Sequence, residues 1–252
     1  MQVRDVSTNA LDKALYFASF RGNQKTVEFL LKKGSVSSKG FEAAFKAAVQ
    51  YKHWEIIKLF LEGPILPETL EKMLYFASVF GNQEIVKLLL KKGDVSSKGL
   101  GEAFNAAALY DHWEIVKFFL EEPIPFEYLE FVLEKASSFG NQEVVEFILK
   151  KREVSSEGLE VAFEIAVQYK QTEIVKLFLE ARPILLETVE KLLHWASIFG
   201  NQEVVEILLK KNKISVETRG GVVVVASLSG CREIVDLLLK MEIFLQRREE
   251  RL

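Results

Sequence analysis

The sequence has a single cysteine, Cys231, in 252 residues, which limits how the chain can be held together. One thiol cannot form a disulfide framework or a cysteine-based zinc site within the chain, and such cysteine usage is typical of a reducing compartment. Residues 1–5 contain no apolar signal core, and no apolar run approaches the roughly 18 residues of a membrane span. We therefore expect an intracellular, cytoplasmic protein that has no membrane partner.

The chain also lacks an excess of positive charge. Its 33 lysine and arginine residues are outnumbered by 36 aspartate and glutamate residues, which gives a net charge of -3 and a pI near 5.8. Proteins that bind nucleic acids depend on lysine and arginine to neutralise phosphates. The composition therefore argues against a nucleic-acid partner.

The strongest feature that is present is internal repetition. The stretch FGNQEIVKLLLKKG begins at Phe80 and returns with small changes from Phe20, Phe139 and Phe199. The glycines of these copies are 59, 59 and 60 residues apart, and they are Gly22, Gly81, Gly140 and Gly200. Weaker copies lie midway, beginning at Tyr51, Tyr110, Tyr169 and Ser229. The chain therefore reads as about eight repeats of 29 or 30 residues, in alternating odd and even types, which predicts a stacked array.

Each repeat contains two helical patterns. The repeated stretch is the second helix, and the first helix precedes it with apolar residues spaced by four and then three positions, which mark one helical face. The central apolar position is occupied by Leu15, Phe45, Leu74, Phe104, Leu133, Phe163, Leu193 and Val223. The position three residues later is alanine in every repeat, from Ala18 to Ala226, which predicts a close approach of two helices. No repeat can bury this face alone, so neighbouring repeats must stack.

The turn between the two helices differs between the repeat types. Odd repeats end the first helix with glycine, which adopts a left-handed conformation without steric cost. Three even repeats have Lys52, Asp111 or Lys170 at this position. We expect these three turns to be either strained or differently shaped. Serine pairs in the links after odd repeats are predicted helix N-caps, with phosphorylation as the alternative. These pairs are Ser37-Ser38, Ser96-Ser97 and Ser155-Ser156.

Residues 77–95, ASVFGNQEIVKLLLKKGDV, resemble the ankyrin repeat, with paired small residues, a glycine turn, an amphipathic second helix and a closing glycine. The resemblance covers nearly the whole chain and implies an all-α, ankyrin-like solenoid of about eight stacked helix-turn-helix repeats. The Thr-Pro-Leu-His opening of that family is absent throughout, and the short repeats imply hairpin fingers that are shortened or missing. We predict a single domain over residues 1–252, with a degenerate C-terminal capping repeat at about 215–252.

One column of the first helices does not keep its residue type from repeat to repeat. It lies one residue after the central apolar position, and packing positions recur whereas free positions drift. We therefore predict that this column lies on the exposed inner face of the first helices, which is concave in ankyrin-like arrays and commonly contacts partners. Simple solvation of the column is the alternative. The candidate partner-binding residues are Tyr16, Lys46, Tyr75, Asn105, Glu134, Glu164 and His194, with Trp195 beside them.

Three other recurrent features allow two interpretations each. An acidic column near the start of the first helices either complements the helix dipole or attracts a basic partner, and it contains Asp12, Glu42, Glu71, Glu130, Glu160 and Glu190. An aromatic column before the turn is interpreted as packing between repeats rather than as a ligand-binding ridge, and it contains Tyr51, Phe80, Tyr110, Phe139, Tyr169 and Phe199. The His-Trp-Glu stretches at 53–55 and 112–114 are interpreted as capped turns rather than as exposed binding knobs.

These observations predict a non-enzymatic scaffold for protein–protein interaction. The three histidines lie in separate repeats, and no phosphate-binding loop, dinucleotide fingerprint, metal site or catalytic constellation is present, so we expect no cofactor. The expected partner is a protein, which can carry a basic segment. The scaffold itself is expected to be a monomer. The alternative is a nucleic-acid-binding helical-repeat protein, which would need a continuous basic groove.

Overall fold

The computed structural model describes residues 7–63, 65–93, 95–151, 154–181, 186–211 and 214–249. In these residues sixteen α-helices follow one another in eight pairs, and no residue is in a β-strand. The helices are α1 (Thr8–Phe20), α2 (Gln24–Lys33), α3 (Ser38–Gln50), α4 (Trp54–Glu62), α5 (Pro67–Val79), α6 (Gln83–Lys92), α7 (Ser97–Leu109), α8 (Trp113–Phe119), α9 (Phe126–Phe139), α10 (Gln142–Lys151), α11 (Ser156–Gln168), α12 (Thr172–Ala181), α13 (Leu186–Ile198), α14 (Gln202–Lys211), α15 (Val216–Leu228) and α16 (Arg232–Glu249). The all-α class and the eight helical pairs are as predicted.

The chain divides into two compact units, Met1–Tyr128 and Leu129–Leu252. In the first unit the first helices pack on one another (α1 on α3, α3 on α5, α5 on α7), and the second helices do the same (α2 on α4, α6 on α8). The second unit has the same two layers, with α11 on α13, α13 on α15, α10 on α12 and α12 on α14. The single domain over residues 1–252 and the capping repeat stay predictions.

The core of each unit lies between its two layers, as the apolar columns predicted. The central positions Leu15, Phe45, Leu74 and Phe104 are fully buried in the first unit, and Leu133 and Leu193 are fully buried in the second. The alanine column is buried in all eight repeats, from Ala18 to Ala226. Val223 is half-buried, so the central column weakens in the last repeat.

The alanine column also anchors the turns. In each repeat the backbone N–H five residues after the column alanine donates to the carbonyl oxygen of that alanine, for example Asn23 to Ala18 (2.8 Å) and His53 to Ala48 (2.9 Å). This bond closes a Schellman motif, which requires a left-handed residue just before the donor. Gly81 adopts the left-handed conformation, with a φ of 70°. Lys52, Asp111 and Lys170 adopt it as well, with φ values of 58°, 64° and 58°. The even turns therefore have the same shape as the odd ones and are strained.

The links after odd repeats begin the next first helix with a serine cap, as predicted. The hydroxyl oxygens of Ser37, Ser96 and Ser155 accept hydrogen bonds from the backbone N–H groups of the glycines three residues later, at 3.0, 3.1 and 3.0 Å. Among the described link residues no strand is present, as expected from the short repeats. Gly63 is extended and the described residues around it form no hairpin finger.

Candidate protein-interaction face

The exposed positions of the first helices form what we call the first-helix face of each unit. In the first unit this face carries the predicted residues Tyr16, Lys46 and Tyr75, which are exposed, and Asn105, which is half-buried. Lys46 extends from α3 so that its Nζ lies 5.1 Å from the centroid of the Phe76 ring on α5. Tyr75 lies edge-on to the same ring, with the centroids 5.8 Å apart. The structure therefore brings Lys46 and Tyr75 together around Phe76.

Asn105 departs from the prediction that its column is free and exposed. Its Oδ1 is buried and has no hydrogen-bond partner among the described residues. The flanking residues on α7 are Phe104 and Ala106, both buried. The Asn105 amide is therefore partly enclosed and not free in solvent.

The first-helix face of the second unit carries Glu134, Glu164 and His194 at successive repeats, with Trp195 beside His194. The two carboxylates and the imidazole are half-buried, and 40% of Trp195 is exposed. Burial raises the pKa of the Glu134 carboxyl, and the nearby charge of Lys135 lowers it by less than burial raises it. His194 donates from Nδ1 to the carbonyl oxygen of Glu190 at 2.7 Å, and the Trp195 ring stacks on Phe199 with centroids 5.7 Å apart.

The acidic column forms bonds between repeats, a role that neither sequence interpretation included. Glu71 accepts a hydrogen bond from the backbone N–H of Ser96 in the next repeat at 3.0 Å, and Glu130 does the same with Ser155 at 3.0 Å. Asp12 accepts from both the backbone N–H and the hydroxyl of Ser37. The remaining members bond to Lys72, Thr188 and Thr218 of the following repeats, from Glu42, Glu160 and Glu190 respectively.

Glycines in the first turn of α7 and α11 make room for these carboxylates. A Cβ atom on Gly99 would lie 2.6 Å from Cγ of Glu71, and one on Gly158 would lie 2.7 Å from Cδ of Glu130. The sequence did carry a signal for these bonds, because a Ser-Ser-x-Gly stretch follows an acidic column residue at a fixed distance. Recognising it requires knowing which residues of adjacent repeats come into contact.

The aromatic column is less buried than packing between repeats implies. Tyr51 is 47% exposed and Tyr169 is 58% exposed, so each ring keeps about half its surface in solvent. Tyr51 does contact the preceding repeat, where its ring lies edge-on to Phe20 with centroids 4.6 Å apart. The interpretation as packing is therefore correct for one edge of the ring only.

The His-Trp-Glu turns are not capped in the way that the sequence suggested. Neither His53 nor His112 caps its own helix, whereas Asn82 of an odd repeat does, through the backbone N–H of Ile85 at 3.2 Å. Each histidine instead donates from Nε2 to a carbonyl oxygen of the preceding repeat, Phe20 at 3.1 Å and Val79 at 3.0 Å. Gln171 makes the equivalent bond to the carbonyl oxygen of Ser138 at 2.9 Å.

Two further findings concern the described residues as a whole. None of their helices combines the length and apolarity that a membrane crossing requires. Nor do three or more of their histidine, cysteine, aspartate or glutamate side chains group as metal ligands would.

The comparisons with known proteins agree with the fold. The family model described as ankyrin repeats (3 copies) matches residues 74–158 and 163–249, which is more than half of the chain. No curated protein matches the chain. The two matched segments contain the Schellman turns, the buried alanines and the paired helices of most repeats. The chain belongs to the ankyrin repeat family.

Proposed function

We propose that this protein is a non-enzymatic scaffold that binds a protein partner through the first-helix face, which we predict to be concave. Ankyrin repeats are in general protein–protein interaction modules. The observation that carries the proposal is that exposed aromatic side chains stand on this face at positions that drift from repeat to repeat. Tyr16, Tyr75 and Trp195 are exposed beside columns that are fully buried.

Aromatic residues on packed helices are well suited to binding. Tyrosine and tryptophan supply large contact areas and are enriched among the residues that dominate binding energy. The Schellman turns and the bonds between repeats hold the helices in place, so that little ordering accompanies association. Lys46 is exposed in the column of Tyr16 and Tyr75, and Lys135 is half-buried in the column of Trp195. These charged groups would select among partners.

The test is a double substitution, Tyr75→Ala with His194→Ala, on the first-helix faces of the two units. A matched control is Leu88→Ala with Leu239→Ala, which removes exposed apolar side chains from the second helices. Partners captured from a lysate of the source cells are identified, purified and titrated against each variant by calorimetry. We expect the first pair to weaken binding at least tenfold and the control pair to leave it unchanged.

The same titration includes generic RNA and DNA duplexes at low and high salt. Tight, salt-sensitive binding to either would favour the nucleic-acid alternative over this proposal. Partner binding that survives the double substitution and fails with the control pair would place the site on the second helices instead.

A further inference from the structure

We infer that the partner site lies on the first-helix face of the second unit and takes an extended basic segment that also carries an apolar anchor. This inference rests on the proposed function, because it names which part of the face binds and the chemistry of its occupant. Three observations carry it: a difference in charge between the units, two carboxylates with no ion-pair partner in the described part of the chain, and exposed apolar side chains beside them.

The first helices of the two units differ in charge. Helices α1, α3, α5 and α7 together carry five carboxylates and five basic side chains. From Leu129 onward, helices α9, α11, α13 and α15 carry eight carboxylates and three basic side chains. The helices of the first unit are thus neutral on balance, whereas those of the second unit, with α9 counted from Leu129, have five more carboxylates than basic side chains. A negative face raises the local concentration of cationic partners and disfavours anionic ones.

Part of this negative charge is already used inside the fold. Glu130, Glu160 and Glu190 bond to the next repeat. Glu134 and Glu164 lie one helical turn further along α9 and α11, and among the described residues neither has a cation within ion-pair distance or a hydrogen bond. Both are half-buried. A half-buried carboxylate without a cation is a group whose interaction with an incoming lysine or arginine is strengthened by desolvation.

Burial already perturbs one of the two carboxylates. The pKa of Glu134 is raised mainly because burial penalises its charged form. The nearby charge of Lys135 offsets part of this effect, and the charge of Glu130 adds to it. A cation bound at Glu134 would offset the remaining penalty. The equivalent position of the first unit is occupied by Tyr16, Lys46 and Tyr75, and there the basic side chain already lies over the ring of Phe76. Among the described residues of this column, the first unit therefore has no carboxylate that could take a cation.

The apolar anchor has a place on the same face. Trp195 is 40% exposed, Ile198 is 43% exposed and Val161 is 37% exposed. The Trp195 ring is held by stacking on Phe199, with an angle of 9° between the planes. Exposed apolar side chains rimmed by polar groups are typical of interaction sites. The occupant that matches both the charge and the apolar surface is a cationic segment with an apolar side chain.

The stacking distance fixes the spacing of the segment. Glu134, Glu164 and Trp195 lie on the first helices of three successive repeats, and packed helices are about 10 Å apart. A segment in the polyproline II conformation rises about 3.1 Å per residue and has three residues per turn, so about three residues span one repeat and every third side chain returns to the same side. The expected sequence is therefore two basic residues and one apolar residue, each three positions from the next, read in either chain direction.

The experiment selects peptides from a phage-displayed library of random dodecamers on the full chain. Enriched peptides are then titrated by fluorescence anisotropy against the wild type and the double variant Glu134→Gln/Glu164→Gln. A matched variant, Glu68→Gln/Glu102→Gln, removes the same charge from exposed positions on α5 and α7. Circular dichroism shows whether each variant keeps its helix content.

We expect enriched peptides to carry basic residues three apart with an apolar residue in the same register. Their affinity should fall at least fivefold in Glu134→Gln/Glu164→Gln and about tenfold in Trp195→Ala, and the matched variant should bind normally. Peptides that instead lose affinity only with Tyr16→Ala/Tyr75→Ala would overturn this inference and leave the proposed function standing. Peptides insensitive to every first-helix variant would overturn both. An acidic or purely apolar consensus, or no enrichment at all, would overturn the inference alone.

Discussion

The imidazole of His112 lies against the preceding repeat, with its Nε2 3.0 Å from the carbonyl oxygen of Val79. That carbonyl is in the last turn of α5, where it has no partner within the helix. The same ring covers the turn, because a Cβ atom on Gly81 would lie 2.5 Å from its Cε1. One side chain of an even repeat thus completes the helix end of the odd repeat before it and requires glycine there. The equivalent side chains His53 and Gln171 lie similarly close to Gly22 and Gly140, so the same contact accompanies glycine at these odd turns.

Replacement of His112 tests the bond directly. His112→Ala removes a hydrogen bond between repeats, and we expect the free energy of unfolding to fall by about 1 kcal/mol. His112→Gln should keep most of the stability, because Gln171 makes the equivalent bond two repeats later. The measurement is urea unfolding followed by circular dichroism. Equal losses from the two variants would show that ring packing, and not the hydrogen bond, is what stabilises this turn.

Gly81→Ala is expected to destabilise the protein more than loss of the hydrogen bond between His112 and Val79 does. The left-handed backbone at φ 70° costs a residue with a Cβ about 1–2 kcal/mol, and the contact with His112 adds to this cost. In a His112→Ala background the second contribution disappears while the first remains. Unfolding of the two single variants and the double variant separates them. Strict additivity would contradict the close contact between the ring and the turn.

Lys52→Gly, in contrast, is expected to stabilise the protein. The lysine backbone is at φ 58°, and glycine adopts this conformation without steric cost. The gain is up to about 1 kcal/mol, since the greater freedom of glycine in the unfolded chain offsets part of it. Thermal unfolding of Lys52→Gly and Lys170→Gly, with Lys58→Gly within α4 as a destabilising control, measures the effect. A loss of stability in both turn variants would mean that the lysine side chains stabilise the turns in another way.

Much of the scaffold could be predicted from the sequence, because packing positions recur. The columns of Leu15 and Ala18 recur in every repeat, because a position that must fill the same space keeps the same kind of side chain, apolar in the first column and alanine in the second. The bonds between Glu71 and Ser96, and between His112 and Val79, were not predicted, because they join residues of adjacent repeats and depend on which side chains the stacking brings together. Their spacings are regular, yet the residue types permit other local roles, namely dipole complementation and capping.

The candidate face was harder to predict than the scaffold. Drift separates Tyr75 and Glu134 from the packed columns, but it cannot say how deeply each is buried. Asn105 and Glu164 drift in the same column as Tyr16, yet they are half-buried whereas Tyr16 is exposed. Burial at such a position depends on the side chains around it, and on α7 Asn105 lies between Phe104 and Ala106, which are both buried.

The contact between Glu71 and Gly99 predicts a reversal of sign. Gly99→Ala alone should destabilise the protein, because the added Cβ would lie 2.6 Å from Cγ of Glu71. In a Glu71→Ala background the same change should stabilise by about 0.5–1 kcal/mol, since alanine is favoured over glycine inside a helix. A double-mutant cycle from urea unfolding gives the coupling between the two positions. The same sign in both backgrounds would mean that α5 and α7 approach less closely here than the structure shows.

The pH dependence of stability tests the burial of Glu134. Its folded pKa lies above the unfolded value of 4.5, so the folded protein holds this proton to higher pH than the unfolded chain does. Below the unfolded value the carboxyl is protonated in both states and contributes nothing. As the pH rises through the window between the two pKa values, stability is lost, and the loss remains at neutral pH.

Glu134→Gln removes this loss, so its midpoint temperature relative to the wild type should rise from about pH 3 to about pH 7. The gain should stay below about 1 kcal/mol, because the side chain is only half-buried. Glu102→Gln, at an exposed position on α7, controls for the change in net charge. A saturating concentration of a basic peptide selected on the chain should reduce the stability that the wild type loses as the pH rises, since a bound cation stabilises the ionised form of Glu134. A pH-independent offset between Glu134→Gln and the wild type would contradict the raised pKa and weaken the case for a cation site on α9.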